Sequence, residues 1–125
     1  MESLISFDME ARMKTMLYQD SLVELSYDTI TFNRYYFPFG RKKLSVANID
    51  TIRISKYNGP SRIWRLWGTG DFLHWFPLDW KRPQRDALFV LKQKNKWGRI
   101  AFTVENSALF EEAIKKLPIN LAYYP

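Results

Sequence analysis

Between Leu22 and Val104 the apolar residues recur with a period of two, the spacing of strands whose alternate side chains point to opposite faces, not the 3.6 of a helix. In LVELSYDTITF, Val23, Leu25 and Tyr27 fall on one face, and Ile30 and Phe32 resume the alternation after Asp28-Thr29. Two antiparallel strands joined tightly near Tyr27-Asp28 are predicted. The second runs on through NRYYF to Pro38 and Gly40, where a missing backbone donor and added conformational freedom favour a turn. After RKKLSV, the stretch ANIDTIRISKY gives a short turn and then a strand with Ile52 and Ile54 inward and Arg53 and Ser55 outward. NGPS, residues 58–61, is the clearest loop. Strands are expected near Ile63–Trp67 and Phe72–Phe76, and over Ala87–Gln93 and Arg99–Val104, the last two joined by the basic turn KNKWG.

The period then changes. In ENSALFEEAIKKLP the apolar residues Phe110, Ala113, Ile114 and Leu117 are spaced as the stripe of an amphipathic helix. Asn106 or Ser107 is placed to cap it, Glu111 and Glu112 lie early and Lys115 and Lys116 late, and Pro118 ends it. Short antiparallel strands followed by one helix must bury that helix's stripe somewhere. A mainly β fold follows: a bent antiparallel sandwich or partly open barrel of about seven strands, capped by one C-terminal α-helix. The organisation expected is an N-terminal arm over 1–17, one domain over 18–117, and an apolar tail over 118–125. Two placements of the tail, INLAYYP, stay open: folded back over the barrel, or packed against a second subunit.

Composition narrows the class. A chain of 125 residues with 46% hydrophobic and 17% aromatic residues is large and apolar enough to bury its own core. It has no cysteine, which removes disulfides, thiolate metal sites and cysteine nucleophiles, and fits a reducing compartment. MESLISFDMEARMK has no basic n-region and does not read as a signal peptide, and no apolar run is long enough to span a bilayer. A cytoplasmic protein is expected. The net charge of +6 is uneven: residues 1–33 carry six acids and two bases (−4), whereas 53–85 carry seven bases and two acids (+5). A basic field of this kind attracts acidic proteins, anionic membranes or nucleic acid.

The order of elements, with the phrases YYFPFGRKKLSVANIDTIRI, RLWGTGDF, WFPLD and IAFTVEN followed by a helix, resembles the bacterial pleckstrin-homology-like domains from about Tyr18 to Leu117. The resemblance implies a seven-stranded bent sandwich capped by a helix and used as a binding or assembly platform. It also implies basic residues around the first hairpin wherever an anionic headgroup is bound. This chain has Glu24 and Asp28 there, which argues against a phosphorylated headgroup at that place. Arg41, Lys42 and Lys43, on the second hairpin, are the alternative anion site.

Candidate chemistry is sparse. His74 is the only histidine, so a multi-histidine metal site is excluded, and on a strand Asp71 and His74 point to opposite faces. Gly68-Thr69-Gly70 lacks both the third glycine of a dinucleotide fingerprint and a P-loop lysine. No nucleophile elbow is present. No catalytic residue, metal or cofactor is therefore assigned, and the chain is not expected to be an enzyme. Residues 62–80, RIWRLWGTGDFLHWFPLDW, hold four of the five tryptophans. On a strand Trp64 and Trp67 face opposite ways, so most of these rings are expected to pack in the core or at its edge.

A minority of the rings stays at the rim. Arg62, Trp64, Arg65, Trp80, Lys81, Arg82 and Arg85 are the candidate partner-binding residues, because exposed tryptophan and arginine are the side chains that anchor protein interfaces. The expected function is a non-catalytic binding or assembly module whose basic and aromatic rim meets an acidic or amphipathic protein, or a second copy of the chain. Peripheral attachment to an anionic membrane and single-stranded nucleic-acid binding are the alternatives.

Overall fold

The computed structural model describes residues 15–36, 40–56, 74–79, 81 and 85–124. Among them, strands β1 (Met16–Gln19), β2 (Val23–Ser26), β3 (Thr29–Tyr36) and β4 (Gly40–Ser45) form an antiparallel sheet in that order. A 3-10 turn at Val46–Asn48 leads into β5 (Ile49–Lys56) and the second sheet. That sheet also contains β6 (His74–Trp75), β7 (Ala87–Gln93), β8 (Arg99–Phe102) and β9 (Asn120–Tyr124), in the order β6-β8-β7-β5-β9. Helix α1 (Ser107–Ile114) joins β8 to β9.

The first hairpin forms where the alternation changes phase. Val23 and Leu25 face Phe32 and Ile30 across the β2–β3 ladder, and all four are buried. Ser26 fills the tight connection, its hydroxyl donating to Asp28 Oδ1 at 2.8 Å and accepting from the Thr29 amide at 3.2 Å. In β5, Ile49, Ile52 and Ile54 are all buried although Ile49 is out of phase with the other two. A bulge between Ile49 and Thr51 makes this possible: Ile49 pairs with Gln93 and Thr51 with Lys92, so Asp50 is the extra residue and the side-chain faces exchange.

The helix seats on both sheets. Asn106 accepts from the Leu109 amide at 3.1 Å and so caps α1. Phe110 packs edge-on against Tyr18 of β1 at 5.2 Å, Phe89 of β7 at 4.9 Å and Phe102 of β8 at 5.6 Å. With Ala113, Ile114 and Leu117 it closes one flank of a core to which both sheets contribute. The stripe is as expected, but α1 ends at Ile114. Lys115 is its C-cap, and Leu117 reaches the core from the turn that follows.

The fold is mainly β as expected, with two sheets and one helix among the described residues and without barrel closure there. Its details differ from the expectation. Nine strands are present among those residues: β1 and β9 are not among those expected, whereas β6 falls within the strand expected near Phe72–Phe76. The sheet is not wholly antiparallel: β9 pairs with β5, and β6 with β8, in parallel. The parallel edge arises because the chain crosses over through α1 before returning, as a parallel connection requires. The apolar tail is thus a strand folded back on β5. It is held by a cluster in which Lys56 bridges Glu111 at 2.9 Å and the Tyr123 hydroxyl donates to Glu111 at 3.1 Å. These contacts, Lys56 first, keep the Glu111 carboxyl below its ordinary range. At the other end, Met16 and Leu17 already belong to β1. The expected strand at 63–67 and loop at 58–61 lie outside the described residues, as do Phe72 and Leu73 of the strand expected over 72–76, in which His74–Trp75 is strand.

Candidate functional site

Of the expected rim, Arg62, Trp64, Arg65, Trp80 and Arg82 lie outside the described residues. Lys81 is exposed, but Arg85 points inward. Its Nε donates to Asp79 Oδ2 at 2.9 Å and a terminal nitrogen to Oδ1 at 3.1 Å, and the two side chains are only 17% and 3% exposed. Thr103 Oγ1 donates to Asp79 Oδ2 at 2.6 Å, and the Lys81 amide donates to Asp79 Oδ1 at 3.0 Å, completing the shell of the carboxylate. Burial by itself would raise the Asp79 carboxyl. The donors from Arg85, Thr103 and Lys81 outweigh it and hold the group below its ordinary range. Arg85 therefore does structural work at the β7 entrance, and its charge is neutralised inside the fold.

The second-hairpin basic run does not converge either. Arg41 and Lys43 alternate with Lys42, which shares its face of β4 with the buried Leu44. The Arg41 guanidinium reaches across the sheet to Glu24 of β2, and its Nε donates to Asn33 Oδ1 of β3 at 3.0 Å. The acid that set the first hairpin apart is thus the ion partner of this arginine. Such an exposed pair contributes little to stability, but it keeps Arg41 from standing as a bare anion receptor.

A different surface combines bases with an open aromatic ring. The turn between β7 and β8, Lys94-Asn95-Lys96-Trp97-Gly98, is drawn tight by Asn95 at φ 61, a left-handed conformation that asparagine tolerates. Lys94 anchors it by donating its amide to the Asn48 carbonyl at 2.8 Å. Trp97 projects from this turn and is 70% exposed. Arg99 curls back beside it and donates to the Trp97 carbonyl.

Next to the turn lies a cleft of about 480 Å³ whose walls include Tyr35, His74, Trp75, Lys96, Trp97 and Arg99. Trp75 stacks on Tyr35 at 5.4 Å and donates its indole N–H to the Tyr35 carbonyl at 3.1 Å, so this inner wall is rigid. Among the described residues no acid lines the cleft. The outer wall is formed by Lys96 and Trp97, exposed side chains on the turn.

Among the described residues the arrangement supplies cations and π faces. His74 lines this cleft, whereas Asp79 lines a separate polar one with Arg34, Lys81 and Glu105, and Asp71 is outside the described residues. Among the described residues no three His, Asp or Glu side chains cluster as a metal site would require, and no helix is long and apolar enough to cross a membrane. Sequence reasoning passed over Trp97 because the other four tryptophans crowd into 62–80. The available signal was a lone tryptophan in a turn with three bases, KNKWGR. Comparison with known proteins finds no matching family model, no matching curated protein and no matching solved structure.

Proposed function

We propose that this chain is a non-catalytic, pleckstrin-homology-like binding or assembly module that docks an acidic or amphipathic protein partner on the β7–β8 hairpin. The observation that carries the reading is Trp97, 70% exposed among Lys94, Lys96 and Arg99 beside an aromatic cleft. A solvated indole gains on burial against a partner, and tryptophans so placed are frequent anchors of protein interfaces. The neighbouring cations add orientation and encounter rate more than affinity. The family reading is supported by two antiparallel runs, β1-β2-β3-β4 and β5-β7-β8, followed by a core-seated helix.

The test is charge reversal at the tip. Replacing Lys94 and Lys96 by glutamate, with Trp97→Ala, is expected to abolish partner recovery in a pull-down while the melting temperature stays within about 2 °C, because all three side chains are exposed. Unchanged recovery would remove the hairpin from the interface. A tryptophan beside lysines also suits the interface of an anionic bilayer, and salt-sensitive sedimentation of the chain with acidic vesicles would transfer the hairpin to that role.

A further inference from the structure

We infer that the partner the hairpin fits is a second copy of this chain, docked head to tail into the groove between β1 and α1. The inference rests on the hairpin reading above and names its acceptor. That groove measures about 600 Å³ and is walled by Met16 and Leu109, 44% and 60% exposed. Among the described residues its polar margin carries Asp20, Glu105 and Glu112 against one cation, Lys116, a net charge of −2. The hairpin carries Lys94, Lys96 and Arg99 and no acid, a balance of +3. Four large apolar side chains are exposed among the described residues: Met16, Leu109, Trp97 and Tyr123. Two of them wall the acidic groove and a third crowns the basic hairpin. The two surfaces match in both charge and polarity.

Local contacts fix two of these carboxylates in place: Asp20 accepts from the amides of Leu22 at 2.7 Å and Val23 at 2.8 Å, and Glu105 from that of Ser21 at 3.1 Å. Glu112 meets Lys115 at 3.2 Å in an exposed pair that water and salt weaken. The groove has room for an indole with the aliphatic stems of the flanking lysines along its apolar walls.

The geometry makes the contact intermolecular. The hairpin leads into β8 at Arg99, and the groove begins at Glu105, beyond the other end of that strand. At about 3.3 Å per residue the two are separated by up to roughly 20 Å, and pairing with β7 and β6 fixes the hairpin in the sheet. Hairpin and groove use different residues, so the contact is heterologous. Each copy offers a hairpin to one neighbour and a groove to another, which builds a ring or an open string.

Sedimentation velocity of the full chain over a concentration series tests this. The wild-type mass should rise with concentration and fall back with added salt. Trp97→Ala and Leu109→Arg should each weaken self-association by at least about tenfold, the cost of one interface anchor. The discriminating result is their equimolar mixture. Each variant lacks one half of the contact, so the mixture should form a complex of two chains and nothing larger. A chain that remains a monomer throughout, or self-association that survives either substitution, overturns the inference. So does a Leu109→Arg variant that loses thermal stability yet still assembles, since the groove is then filled by its own chain. A wild-type monomer whose hairpin variant still loses a captured protein would sink the head-to-tail contact and leave the hairpin reading standing.

Discussion

Phe110→Ala is expected to destabilise the fold by about 3–5 kcal/mol, read as a lower urea midpoint at unchanged slope. The ring is fully buried and touches Tyr18 from the first sheet and Phe89 and Phe102 from the second. Truncation removes apolar contacts from both sheets at once, and β8, α1 and β9 are consecutive, so a loosened helix also loosens the edge strand. Against a total stability of about 5–15 kcal/mol for a domain of this kind, the change approaches global unfolding. A loss below about 1 kcal/mol would mean that α1 is not seated between the sheets.

Asp79→Ala is the second large effect, at about 3 kcal/mol, because it leaves the half-buried Arg85 guanidinium without its counter-charge and Thr103 without its acceptor. The loss has a pH signature. The folded Asp79 carboxyl lies below its unfolded value of about 4, so its stabilisation is complete above that value and disappears as pH falls through the folded one. Urea unfolding of wild type and variant should therefore differ most near neutral pH, and the gap should narrow below about pH 4. A gap that is constant with pH would show that the carboxylate charge contributes nothing, and that lost packing accounts for the effect.

Much of this scaffold is legible in the chain because burial enforces a period. Val23 and Leu25 against Ile30 and Phe32, and the stripe from Phe110 to Leu117, announce a hairpin and a core-seated helix from spacing alone. Ile49 beside Ile52 does not, because a bulge erases the period where it changes the register. The parallel return of Asn120–Tyr124 is equally hidden. Nothing in INLAYYP distinguishes a strand beside β5 from a tail packed elsewhere, and the Lys56, Glu111 and Tyr123 cluster that holds it joins residues far apart in sequence.

The same holds for charge. Arg41 with Glu24, and Arg85 with Asp79, read as free surface cations until the fold brings their acids to them. Basic residues in a local run were therefore poor guides to the surface field. The hairpin bases differ because the turn between β7 and β8 leaves the side chains of Lys94 and Lys96 exposed.

The most direct measurement is site-specific photocrosslinking in the cell that makes the protein. A photoreactive amino acid replaces Trp97 in one variant and, as an exposed control on the β9 edge, Tyr123 in another. If the β7–β8 hairpin is the docking surface, position 97 yields a discrete protein adduct that the Lys94→Glu/Lys96→Glu background removes, and position 123 yields none. A chain that gives no protein adduct from position 97, or gives the same adduct from 123, does not use this hairpin to bind.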